Sequence, residues 1–202
     1  MKKIILFLIP VLLLTGCSFK SGQVRGGNMK LENKKILMVV TPKDFRDEEY
    51  LEPRKILEDA GAQIKVASIQ GGTAVGVNGT RVNIDVLTGE ADPKDYEAVL
   101  FVGGPGMAEI SNDDTLKSLA WNFYNEQKLT TAICAAPAVL AKAGILKGKK
   151  ATSWSGVEKD VRQGGAIFTG APVTVDGRIV TADGPASARA FGEKVAEVLN
   201  KL

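Results

Sequence analysis

Leu129-Thr-Thr-Ala-Ile-Cys-Ala-Ala-Pro-Ala-Val-Leu140 sets an apolar run directly against a helix start, with Cys134 in the joint. The run ending at Ile133 reads as a buried strand, and Pro137 is tolerated in the first turn of a helix, where its missing N–H costs nothing. Cys134 therefore falls in a sharp strand-to-helix connection. Ala132 and Ala136 flank it two residues away on either side, the spacing at which small neighbours let a backbone crowd into a strained nucleophile elbow. An α/β protein places a nucleophile at such a joint. The free N–H groups and dipole of the following helix favour a thiolate, so the sequence predicts a thiol pKa below that of a free cysteine.

The rest of the chain repeats this strand-then-helix alternation. Lys35 to Val40 is a continuous apolar strand, and Asp47 to Ala60 has helical spacing through Tyr50, Leu51, Ile56 and Leu57 before Gly61 stops it. Ile64 to Ile69 is a second strand, Val82 to Val86 a short half-exposed one, and Tyr96 to Val102 another apolar one. Asp114 to Gln127 is an amphipathic helix, Leu129 to Ile133 the strand before the cysteine, and Pro137 to Ala143 the helix after it. Asp176-Gly177 suits a tight turn, so Val173-Thr-Val and Ile179-Val-Thr read as a hairpin. Pro185 to Leu199 closes the chain as a helix. Repeated βα units predict an α/β fold, a mainly parallel sheet covered on both faces, with function at the carboxyl ends of its strands.

The amino terminus is of another kind. Lys2 and Lys3 precede an apolar run from Ile4 to Leu14, then Leu14-Thr-Gly-Cys17. The run falls short of the ~20 residues that span a bilayer and fits a signal-peptide core of roughly 7–15. Leu-Thr-Gly-Cys resembles the bacterial lipobox, which implies cleavage before Cys17 and acylation of that residue. The expected organisation is a lipoprotein signal peptide over 1–16, a lipidated cysteine and flexible tether over 17–33, and one domain over 34–202. Such a protein is extracytoplasmic and lipid-anchored to a bacterial membrane. Acylation leaves Cys17 without a thiol; the alternative is a disulfide between Cys17 and Cys134 that ties the tail to the core.

Composition removes several function classes. The formal charge is +3, falling to +1 without Lys2 and Lys3, and both signs are interspersed, so there is no electrostatic footprint for nucleic acid. The chain has no histidine, which excludes a Ser-His-Asp triad and removes the commonest metal ligand and general base. No metal or organic cofactor is expected.

Three segments should meet at the strand ends: Thr41-Pro-Lys-Asp-Phe-Arg-Asp-Glu-Glu-Tyr50, Gly103-Gly-Pro-Gly106 and Cys134. Glu49 lies in the first turn of its helix, pointing to where a strand-end pocket would be. Asp47 and Glu48 read as charges that satisfy a helix N-terminus. Gly103 and Gly104 are either a tight turn or a site where backbone N–H groups approach a reacting centre unobstructed.

Phe45-Arg-Asp-Glu-Glu49, Val99-Leu-Phe-Val-Gly-Gly-Pro-Gly106, Ala132-Ile-Cys-Ala-Ala-Pro137, Gly144-Ile-Leu-Lys-Gly-Lys-Lys-Ala-Thr-Ser-Trp154, and Asp176-Gly177 with Thr181-Ala-Asp-Gly-Pro-Ala-Ser-Ala188 occur in this order. Together, over about Lys35 to Leu202, they resemble the ThiJ/PfpI superfamily. The resemblance implies a flavodoxin-like, class I glutamine amidotransferase-like three-layer sandwich and a homodimer. It also implies a nucleophilic Cys134, a Glu49 carboxyl sharing a proton with its sulfur, and oxyanion donors from the backbone N–H of Gly104 and Ala135, with Gly103 beside them. Trp154 stands where relatives often carry histidine or tyrosine, and so is a residue of either pocket or core. Arg46 stands where some relatives place an acid, which makes the pocket mouth more basic and suits an anionic substrate. Ala135 replaces the histidine of the peptidase-like branch, so the chain is more similar to the branch of the parkinsonism-associated deglycase.

The reading that follows is a cofactor-free enzyme acting on small reactive carbonyls such as methylglyoxal, or on glycated groups. A redox sensor or chaperone using the same thiol, a cysteine peptidase or amidase, and a tethered scaffold with a vestigial site are the alternatives.

Overall fold

A computed structural model describes residues 30–202. The expected signal segment, Cys17 and most of the tether lie outside them. Leu31, at the end of the expected tether, is buried and donates its N–H to the Ala60 carbonyl at 2.7 Å, so these last residues are docked on the domain.

In chain order the strands are β1 Lys35–Val39, β2 Lys43–Phe45, β3 Gln63–Ser68, β4 Thr73–Gly76, β5 Arg81–Asn83, β6 Val86–Leu87, β7 Ala98–Phe101, β8 Leu129–Ile133, β9 Lys150–Ala151, β10 Ile167–Phe168, β11 Val173–Asp176 and β12 Ile179–Ala182. The helices are α1 Asp47–Asp59, α2 Pro105–Ile110, α3 Asp114–Asn125, α4 Pro137–Lys142, α5 Glu158–Gln163 and α6 Ala188–Asn200. Seven strands form the central sheet in the order β11-β12-β8-β7-β1-β3-β6, with every pair parallel except β11 against β12. Helices α1 and α6 pack together on one face, and α3, α4 and α5 pack on the other. This is the expected flavodoxin-like α/β sandwich. The central strands are buried on both faces, which is why Ile36 to Val39, Ala98 to Phe101 and Leu129 to Ile133 read as unbroken buried runs.

Two expectations change. Val82 to Val86 is not one strand: Ile84 N–H donates to Gly72 and Asp85 N–H to Val66, so the chain leaves a small β2-β4-β5 sheet and joins the central one as β6. The closing helix starts later than expected, because Pro185–Ser187 forms a separate 3-10 turn before α6. Gly192 brings α6 close enough to α1 that a Cβ there would lie 2.8 Å from the Pro53 Cα.

Candidate active site

β8 delivers Cys134 into the left-handed region, at φ 62°, the strained elbow that the flanking alanines predict. An L-residue there costs roughly 1–2 kcal/mol, so its surroundings must hold it. They do so from both sides: Cys134 N–H donates to the Ala182 carbonyl at 2.9 Å, and its carbonyl accepts from Trp154 N–H at 2.9 Å. Ala132 and Ala136 are fully buried, leaving no room for larger neighbours.

Glu49 comes from the first turn of α1. Its side chain is fully buried, and Oε2 accepts from the Gly103 N–H at 3.1 Å. Oε1 meets no donor in hydrogen-bonding geometry, and the Cys134 thiol is a titratable neighbour of the carboxyl. The glycine loop after β7 is what allows this approach. A Cβ on Gly103 would lie 2.6 Å from Glu49 Oε2 and 2.7 Å from the Cys134 Cβ. Gly104 has φ 116°, and a Cβ there would lie 2.5 Å from the Asp44 carbonyl oxygen. Gly106 sits equally tightly under Lys43 and Thr41. Arg46 N–H donates to the Gly103 carbonyl at 3.0 Å, so the segment before α1 is strapped across the loop. Sequence left open whether these glycines form a turn or a close approach; the contacts make them a close approach.

The electrostatics differ from expectation at sulfur. Burial pushes Glu49 up to about 7, against the neighbouring Cys134 side chain, the Gly103 N–H and the pull of Arg46. Burial, followed by the charge of the neighbouring Glu49, pushes Cys134 up to about 12. The backbone N–H groups of Gly104 and Ala135 act on the sulfur in the opposite sense and lose. The direction is opposite to the predicted lowering: burial of the sulfur, and then the Glu49 charge, outweigh the dipole of α4, which has only six residues. Between those two values the dyad keeps one proton, which belongs to the pair.

Cys134 opens onto a cavity of about 400 Å³ whose walls include Arg46, Gly104, Pro105, Ala135 and Trp154. Trp154 is 47% exposed and lines this cavity rather than the core. Asp47 was the residue sequence reasoning undervalued. It is buried, and its Oδ2 and Oδ1 accept from Asn78 N–H at 2.7 Å and Thr80 N–H at 2.9 Å, tying the β4–β5 turn to the base of α1. Its partners lie 31 and 33 residues away, with no local pattern to betray them. Glu48 remains at the surface near Arg46 and Asn78, as expected of a helix N-terminus.

Comparison with known proteins agrees with this geometry. An uncharacterized protein of Methanocaldococcus jannaschii is 40% identical over 204 residues, covering 100% of this chain and 98% of the relative. A deglycase of Pyrococcus horikoshii is 29% identical over 163 residues, covering 81% of this chain and 98% of its own length. The crystal structure of a ThiJ/PfpI domain protein from Brachyspira murdochii superposes with a TM-score of 0.83 at 40% identity, covering 85% of this chain and 99% of that one. Residues 1–18 match the prokaryotic membrane lipoprotein lipid attachment site, the signal of a lipid-anchored, extracytoplasmic protein. Among the described residues no helix is long and apolar enough to cross a membrane. Residues 34–198 match the DJ-1/PfpI family, and with the elbow cysteine, the buried glutamate and the glycine loop on one α/β sheet, the chain belongs to that family.

Proposed function

We propose that the protein is a cofactor-independent enzyme of reactive carbonyls, with Cys134 as nucleophile and Glu49 as proton carrier. The observation that carries this reading is the fully buried Glu49 carboxyl, pushed up to about 7 directly beside the elbow cysteine. A carboxyl near neutrality can both take and return a proton. Since the thiol itself is not acidic, the carboxylate acts as a general base. Cys134 gives its proton to Glu49 as sulfur bonds to the aldehyde carbon. The carbonyl electron pair moves onto oxygen, and the N–H groups of Gly104 and Ala135, which act on the adjacent Cys134 sulfur, are the donors assigned to that oxyanion. Glu49 then returns the proton, giving a hemithioacetal. With methylglyoxal, Glu49 next moves a proton from the aldehyde carbon to the adjacent carbon while the hemithioacetal hydroxyl proton passes to the adjacent carbonyl oxygen, leaving a lactoyl thioester that water cleaves to lactate and free thiol.

Arg46 on the cavity wall favours an anionic or strongly polarised substrate. The relative from Pyrococcus horikoshii that is named a deglycase supports glycated groups as an alternative source of the carbonyl carbon. Family membership supports a homodimer, which light scattering of the lipid-free protein would check.

The redox-sensor reading draws support from Glu49 Oε1, which lacks a protein donor and, once protonated, could donate to an oxygen of a Cys134 sulfinate. A peptidase is disfavoured because the chain has no histidine to serve as the usual base. Lactate formation from methylglyoxal by lipid-free wild type, Cys134→Ala and Glu49→Gln separates the readings. The carbonyl enzyme requires turnover in wild type, none in Cys134→Ala, and a loss on the order of 10²–10⁴ in Glu49→Gln. Absence of lactate from wild type, with peroxide oxidation of Cys134 that depends on Glu49, would favour the sensor.

A further inference from the structure

Trp154 lines two cavities. One is the Cys134 cavity; the other, of about 340 Å³, has Thr152, Ser155, Phe168 and Asp183 among its walls. The indole is held in place because it packs on Gly156, where a Cβ would lie 2.2 Å from the ring. Asp183 follows Ala182, whose carbonyl accepts the Cys134 N–H, so this acid stands at the same sheet edge as the nucleophile.

The second cavity has the chemistry of a cation subsite. Glu158 on its rim is neutralised by Arg162 at 2.8 Å. Asp183 has the Ser187 hydroxyl as a donor to Oδ1 but no ion-pair partner among the described residues. The Thr152 hydroxyl, fully buried on the wall, has no hydrogen-bond partner. The Arg162 guanidinium already covers the Phe168 ring, 4.8 Å from its centroid, so Trp154 is the aromatic surface left to an apolar stem or the face of a cation. Across Trp154, the Cys134 cavity carries Arg46, so the two compartments differ in charge.

We propose that this second cavity binds the cationic end, an ammonium or guanidinium group on a short apolar stem, of a substrate whose carbonyl carbon lies at Cys134. The substrate class is then a carbonyl carried on a basic group rather than a bare small aldehyde. This rests on the carbonyl-enzyme reading of Cys134.

The test compares two aldehydes of one shape, a butanal ending in trimethylammonium and its neutral tert-butyl isostere. Each forms a reversible hemithioacetal, read as protection of Cys134 from iodoacetamide. Wild type should bind the cationic aldehyde more tightly by roughly fivefold, the factor expected of one partly exposed ion pair. Asp183→Asn should remove that preference while leaving the neutral aldehyde's affinity unchanged. In wild type the preference should also shrink as salt is raised from about 0.01 M to about 1 M, a measurement independent of any variant. Equal affinity of wild type for the two aldehydes, or an equal loss for both in Asp183→Asn, would overturn the subsite and leave the carbonyl reading standing. Protection by neither aldehyde would remove the carbonyl reading and the subsite with it.

Discussion

The Gly103 N–H reaches Glu49 Oε2 at 3.1 Å across 54 residues of chain, and this bond joins the glycine loop after β7 to the first turn of α1. One carboxylate oxygen is thereby fixed while the other is left without a hydrogen-bond partner, in a carboxyl that neighbours the Cys134 thiol. A buried carboxyl with one donor is poorly compensated when ionised, which is why burial dominates its titration.

That imbalance should appear in stability. Glu49 is raised from 4.5 in an unfolded chain to about 7 in the fold, so the stabilisation belonging to its neutral form is complete below 4.5 and lost as pH rises through about 7. A shift of this size corresponds to about 3 kcal/mol. Urea unfolding of wild type at about pH 5 and about pH 8 should show this loss, and Glu49→Gln should flatten it. Equal pH slopes in the two proteins would mean that Glu49 ionises without penalty.

A second consequence concerns the thiol. The charge of the neighbouring Glu49 helps push Cys134 up to about 12, after burial itself. Glu49→Gln removes the charge and offers the sulfur an amide N–H donor. The midpoint of iodoacetamide alkylation against pH should therefore fall in Glu49→Gln, although catalysis by the same variant is lost. A higher midpoint in the variant would mean that the carboxyl normally acts as a donor to a thiolate.

The central sheet was legible because its signals are local. Leu129 to Ile133 and Pro137 bracket the elbow, and Asp176-Gly177 makes the hairpin of β11 and β12 where turn chemistry puts it. The small β2-β4-β5 sheet was not legible. Lys43-Asp44-Phe45 has a charged pair and a single apolar residue, too little to read as a strand, and its position is set by β4, some 30 residues later. The site was visible in part for the same reason. Cys134, Glu49 and the glycines announce themselves by residue type, whereas the direction of the thiol shift depends first on how deeply the sulfur is buried and then on how closely a buried carboxylate approaches. Only the fold contains that distance.

Cys17 offers a check at the other end of the chain. Residues 1–18 match the lipid attachment site, so the mature protein should begin at an acylated Cys17 and partition with membranes. Intact-mass analysis of protein extracted with detergent should show the loss of residues 1–16 and the added acyl mass. Cys17→Ser should keep its leader and lose the lipid. An unmodified Met1 on the wild-type protein, or a disulfide from Cys17 to Cys134, would contradict lipidation.

Asp47 should behave as a clamp rather than a surface charge. Its two oxygens accept from the backbone of Asn78 and Thr80, and a Cβ on Gly76 would lie 2.6 Å from Oδ1, so the turn is pressed against the carboxylate. Burial pushes its pKa up, but hydrogen bonds from the Thr80 side chain and the N–H groups of Asn78 and Thr80 outweigh this, and the net direction is down from 3.8. The sign is opposite to that of Glu49: the stabilisation is present above 3.8 and disappears as pH falls through the lowered value. Asp47→Asn replaces one acceptor with a donor that faces a backbone N–H, and should cost about 1–3 kcal/mol. Amide exchange at Asn78 and Thr80 should accelerate in the variant more than exchange in β8, because the clamp holds the turn and not the central sheet. Unchanged exchange at those two amides would show that the turn closes without Asp47.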